Sequence, residues 1–155
     1  MVKWEKISNF DKSSENYQTK IRLINLEQTV TAAKEIIKTA PRLSKNSKLF
    51  KSIISAIQDK KGEKIVSLDL KKIDEAVADY FILCEARSNI QIKAIAQSIE
   101  QKIEEDCGER PFHIEFGDTW TLVDYVNIVV HIFKEEQREF YNLEGLWEDA
   151  PKSNY

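Results

Sequence analysis

The residues best placed to do chemistry lie between Thr119 and Phe133. There Trp120, Asp124, Tyr125 and His131 interrupt a run otherwise made of β-branched and apolar residues, which reads as two strands back to back. By the two-residue period of a strand, Trp120, Leu122 and Asp124 share one face. An aromatic ring beside a carboxylate on a sheet face offers apolar area and a directional acceptor, and Trp and Tyr are frequent anchors of binding surfaces. The same spacing also suits a core tryptophan with Asp124 serving a turn, so both readings stand. His131, between Val130 and Ile132, reads either as a hydrogen-bonded structural histidine or as an exposed contact group.

Catalytic machinery is harder to assemble. Asp69, Asp74, Asp79 and Glu85 fall around strand ends, where paired carboxylates could hold magnesium for nucleotidyl transfer. The four glycines, Gly62, Gly108, Gly117 and Gly145, form no phosphate-cradling loop. His113 and His131 have no zinc spacing. Cys84 sits in an apolar run without a partner base, and Cys107 precedes a glycine turn, so both read as reduced thiols. The expectation is therefore a recognition protein with no catalytic, metal or cofactor site. A magnesium-dependent nucleotidyl-transfer enzyme using Asp69, Asp79 or Glu85 is the alternative.

The elements that position these residues follow from periodicity. Residues 1–45 form a basic extension, loosely ordered, with one helix suggested by Leu26, Val30, Ala33 and Ile37 and ended by Ala40-Pro41. The folded domain is expected over 46–151. Ser47 caps a helix with Leu49, Phe50, Ile53, Ile54 and Ile57 on one face, stopped at Gly62. Glu63–Leu70 alternates as a strand, and Tyr80–Cys84, apolar throughout, reads as a central strand covered on both sides. Ser88 or Asn89 caps a long helix closed by Gly108. A short strand spans Phe112–Phe116, and the strand pair of the opening paragraph follows. A last helix starts near Glu135, packs Phe140, Leu143, Leu146 and Trp147, and is short or interrupted because of Gly145 and Pro151. Residues 152–155 read as a frayed tail. The sum is an α/β (α+β) domain, a mixed five-stranded sheet flanked by helices.

Charge is unevenly distributed. Net charge is −3, yet residues 1–48 hold ten Lys/Arg against five Asp/Glu, and residues 100–155 hold five against fourteen. An acidic C-terminal surface suits a basic partner. No apolar run is long enough to span a bilayer, and Met1–Glu5 lacks the apolar segment of a signal peptide, so a cytoplasmic location is expected. An exposed sheet edge would also allow weak self-association.

Several segments together carry a family likeness: Ala56-Ile57-Gln58-Asp59-Lys60-Lys61-Gly62, Val66-Ser67-Leu68-Asp69-Leu70, Ala78-Asp79-Tyr80-Phe81-Ile82-Leu83-Cys84 and Ser88-Asn89-Ile90-Gln91 with Ala94-Ile95-Ala96. They continue with Trp120–Tyr125, Val129–Phe133 and Arg138–Ala150. From Leu49 to Pro151 the chain resembles the Iojap, or ribosome silencing factor, family. The resemblance implies a nucleotidyltransferase-like shape without the catalytic signature. It implies a translational repressor that binds the large ribosomal subunit through its fourteenth large-subunit protein and blocks small-subunit joining, as part of a stress response. Trp120, Leu122, Asp124, Tyr125 and His131 match the family's partner-contact region, with help from the acidic C-terminal helix. The basic extension would contact ribosomal RNA. The chain departs from the family in three places: Ala86 stands where glycine is usual, the approach Glu115–Thr119 is shortened, and Val126-Asn127 replaces a Gly-Asp pair.

Overall fold

The computed structural model describes residues 42–155, and the helix expected over 26–40 lies outside them. The folded unit begins at Arg42, ahead of the boundary expected after residue 45. Two contacts bind its first residues in. The Leu43 amide donates to buried Asp79 Oδ2 at 2.8 Å, and the Arg42 guanidinium donates to the Lys71 carbonyl.

Helix α1 (Lys48–Asp59) is capped by Ser47, whose hydroxyl accepts from the Phe50 amide. Helix α2 (Asn89–Cys107) is capped by Ser88 and stopped at Gly108, whose φ of 67° is the left-handed geometry glycine adopts without penalty. Between and after them run β1 (Glu63–Asp69), β2 (Tyr80–Glu85), β3 (His113–Glu115), β4 (Trp120–Asp124) and β5 (Ile128–Phe133). Helices α3 (Glu135–Tyr141) and α4 (Leu143–Leu146) follow. The last strand is β6 (Lys152–Asn154).

The sheet has six strands in the order β3-β4-β5-β2-β1-β6, with β2 and β5 parallel and every other neighbour antiparallel. The expected count of five therefore rises by one. The tail from Lys152 is not frayed: it lies on the free edge of β1 with Ser67 opposite Ser153. Its residues have little intrinsic strand preference. The unpaired backbone of β1, distant in sequence, supplies the order.

Two cores sandwich the sheet. One face meets α1 and α2 through Ile53, Ile57, Ile92, Ile95, Ile99 and Ile103, which pack on Tyr80, Ile82, Val123, Val130 and Ile132. The other face is aromatic and is covered by α3 and α4, where Trp147 packs edge-on against Phe81 and Tyr141 lies 5.0 Å from Trp120. Phe140, expected in the core, is 55% exposed, and Tyr141 takes the buried place. The cause is the break after one short helix. Asn142, left-handed at φ 42°, ends α3 and caps α4 by accepting from the Gly145 amide.

One buried guanidinium fastens this second layer. Arg138 donates through Nε and Nη2 to Glu144 Oε1 at 3.1 and 2.6 Å, and through Nη1 to the Lys64 carbonyl at 2.6 Å. Glu85 stands 3.5 Å from the same Nη1. The Lys64 carbonyl faces Arg138 because β1 carries a register irregularity at this point, with Lys64 at φ 46°.

The loop between β4 and β5 holds strain. Val126 has φ 70°, and the Asn127 amide donates to the Tyr125 carbonyl at 2.8 Å, a γ-turn with its centre in the left-handed region. A β-branched residue there is an outlier costing on the order of 1–3 kcal/mol. Val126→Gly is expected to raise stability by about 1 kcal/mol, read as a higher denaturation midpoint. Arg138→Ala strands Glu144 and the Lys64 carbonyl, leaves Glu85 with Lys64 alone, and is expected to cost about 3 kcal/mol in the same measurement.

Candidate functional site: the aromatic face of the sheet

Strand alternation and the β4–β5 register decide where the five candidate residues go. Trp120 pairs with Phe133, Leu122 with His131, and Asp124 with Val129, so all six side chains lie on the face covered by α3 and α4. Tyr125 lies on the opposite face, in the core built by α1 and α2. The structure therefore brings together Trp120, Leu122, Asp124 and His131 and leaves Tyr125 out.

Trp120 is the hub of an aromatic cluster. Its ring stacks on Phe133 at 4.7 Å and approaches His131 at 5.8 Å, while Phe81 meets His131 edge-on at 4.8 Å. Trp120 Nε1 donates to His131 Nδ1 at 3.3 Å. That bond requires a neutral imidazole with its proton on Nε2. Trp120, Leu122 and His131 are buried, so they shape and stiffen the face instead of forming its outer layer.

The groups at the rim are different ones. Asp124 is half-buried, and its Oδ1 accepts from the Val126 amide at 2.6 Å. Burial pushes the Asp124 carboxyl above its ordinary range, against smaller opposing effects from that hydrogen bond and from His113. Val126 at the hairpin tip and Phe140 on α3 are exposed. Phe140 sits inside a segment the family likeness marks, and its i−1 position to Tyr141 was the available signal. Val126 could be found only from the turn geometry.

The carboxylates required for nucleotidyl transfer do not converge. Asp69 and Asp79 lie at the start of β2 and Glu85 at its end, about 16 Å away along the strand. Asp69 pairs with Lys71, Asp79 accepts from Leu43, and Glu85 faces Lys64 and Arg138. Among the described residues no group of His, Cys, Asp and Glu side chains could hold a metal. Cys84 is buried, which pushes its thiol up to about 12. No helix among the described residues is long and apolar enough to cross a membrane.

The described residues form a three-layer α+β domain with a closely packed aromatic face and dispersed carboxylates. Comparison with known proteins narrows the class. A family model described as "Ribosomal silencing factor during starvation" matches residues 43–155. Ribosomal silencing factor RsfS of Halalkalibacterium halodurans is 37% identical over 108 residues, covering 68% of this chain and 91% of the relative. RsfS of Bacillus subtilis is 41% identical over 105 residues, covering 66% and 87%. A crystal structure from Bacillus halodurans superposes with a TM-score of 0.60 at 34% identity, covering 71% of this chain and 100% of that one. One from Chromobacterium violaceum gives 0.60 at 32% identity, covering 64% and 83%. The chain belongs to the ribosomal silencing factor family, proteins of translation regulation and repression.

Because burial raises the Asp124 carboxyl, its charged form is less favoured in the fold than in the unfolded chain. Its contribution to stability is fully present below the unfolded value and is lost as pH rises through the folded one. Asp124→Asn keeps the acceptor for the Val126 amide and removes the buried charge. It is expected to raise thermal stability at pH 7, with the gain shrinking as pH falls toward the carboxylate range. Tyr125→Phe removes a buried hydroxyl that has no hydrogen-bond partner among the described residues. It should leave melting temperature unchanged or slightly higher.

Proposed function

We propose that this chain binds the large ribosomal subunit with the aromatic face and blocks association of the small subunit by steric occlusion. The contact would be made to the fourteenth protein of the large-subunit series at the subunit-joining face, as the family likeness implies. The observation that carries the reading is a preorganised rim: half-buried Asp124 and exposed Val126 and Phe140, set on a rigid bed of Trp120, His131 and Phe133. Rigid aromatic beds with a few directional polar groups are how binding energy concentrates in a small area. Preorganisation also lowers the entropy lost on docking.

The electrostatics agree. Residues 135–149 carry six carboxylates and one cation, Arg138, and that cation is already engaged by Glu144. Such a surface favours a basic partner and speeds its encounter at low salt. The activity requires no bond-making chemistry, because occupation of the joining face is enough to stop initiation.

Trp120 is a poor direct probe, since Trp120→Ala would hollow the core at a cost of about 3–5 kcal/mol. Phe140→Ala and Asp124→Asn leave the core intact. The parent protein is expected to co-sediment with isolated large subunits and to reduce the whole-ribosome peak when small subunits are added. Phe140→Ala should weaken co-sedimentation about tenfold or more. Asp124→Asn should weaken it while melting no lower than the parent. Unchanged affinity in both variants would remove this face from the contact, and a parent that fails to sediment with large subunits would remove the partner.

A further inference from the structure

The charges of the folded domain are segregated. Residues 42–72 hold nine Lys/Arg against three Asp/Glu, whereas residues 73–155 hold seven against eighteen. The fold gathers part of the basic set at one place. The entry segment 42–48, the turn after β1 and the edge strand β6 meet there through specific contacts. Arg42 donates to the Lys71 carbonyl, and Lys71 Nζ reaches the Leu43 carbonyl at 3.5 Å. Lys45 Nζ donates to Ser153 Oγ at 2.6 Å. The ring of Phe50, in the first turn of α1, lies 5.8 Å from that of Tyr155, beside β6.

We infer that the basic rim formed by Arg42, Lys45, Lys48, Lys71, Lys72 and Lys152 is a binding surface for the phosphodiester backbone of folded RNA. Among the described residues, only Lys71 of these six has a carboxylate partner, Asp69 at 3.5 Å. Arg42, Lys48, Lys72 and Lys152 are exposed. Like charges crowded on one edge repel one another, and phosphate neutralises them.

The composition of the rim selects the backbone over the bases. Five of the six are lysines, point charges suited to phosphate oxygens, and lysine lacks the planar fork with which arginine makes bidentate contacts to base edges. Of the aromatic rings beside them, Tyr80 lies 4.9 Å from Lys71 Nζ but is buried, and Tyr155, part-exposed, packs on Phe50, so the rim lacks the row of free rings on which successive unpaired bases would stack. A folded RNA presenting phosphates in fixed array is the ligand this arrangement fits.

The rim also lies apart from the aromatic face. Between β6 and β4 are β1, β2 and β5, so the basic edge and the strand that carries Trp120 and Asp124 stand about 19 Å apart at ordinary strand spacing. Protein and RNA can therefore be held at once, which deepens the ribosomal reading above without depending on Phe140 or Asp124.

The test uses the full chain and a fluorescein-labelled RNA hairpin, with affinity read by anisotropy across a salt series. The triple variant Lys48→Glu, Lys72→Glu and Lys152→Glu changes three exposed side chains, and circular dichroism checks that it folds. The parent should bind with affinity falling steeply in salt, a log–log slope of about −3 to −5. The triple variant should bind at least about tenfold more weakly with a flatter slope, while Phe140→Ala binds the hairpin as the parent does. A folded triple variant that matches the parent, or a parent that ignores the hairpin, overturns the inference. So does binding to phosphatidylglycerol vesicles that the triple variant loses while keeping the hairpin. Large-subunit sedimentation of Phe140→Ala is read separately, so the two surfaces fail or stand independently.

Discussion

Arg138 joins three parts of the chain that are remote in sequence. Its guanidinium takes up the Lys64 carbonyl from the irregular start of β1, stands against Glu85 at the end of β2, and is gripped by Glu144 on α4. A buried cation without such partners would cost several kcal/mol, so the site admits essentially one arrangement. That arrangement seats α3 and α4 on the sheet. Once they are seated, Tyr141 closes over Trp120 and Trp147 over Phe81. The second hydrophobic layer exists because this one charge is satisfied.

The proposed contact surface inherits its rigidity from that layer. Phe133, His131 and Trp120 form a stack whose orientation is further set by the bond from the Trp120 indole to His131. Directional groups stand around it where backbone geometry puts them. Asp124 is drawn in by the strained Val126 turn, and Phe140 is turned outward because Tyr141 needs the inner position. Buried aromatics hold the shape, and their less buried neighbours are the groups the proposed contact would use.

Much of this was legible in the residues alone. The caps at Ser47 and Ser88, the stop at Gly108 and the fully covered strand Tyr80–Glu85 follow from local chemistry. The shared face of Trp120, Leu122 and Asp124 follows from strand alternation and holds in the register. Three things depended on tertiary context. Strand β6 forms because β1 has a free edge, not because Lys-Ser-Asn favours extension. Tyr125 goes to the helical core because it follows Asp124 by one residue, which reverses its face. Phe140, expected in the core, yields that place to Tyr141 because Asn142 breaks the helix in a left-handed conformation that periodicity does not register.

The proposed partner contact lies on the sheet face opposite α1 and α2, at the hairpin tip and α3 in particular. Hydrogen exchange of the full chain, free and bound to isolated large ribosomal subunits, tests that placement most directly. Added protection is expected in the β4–β5 hairpin around Val126 and in α3 around Phe140, with no change along the solvent side of α2. Protection confined to α1 and α2, with the hairpin and α3 unchanged, would contradict it.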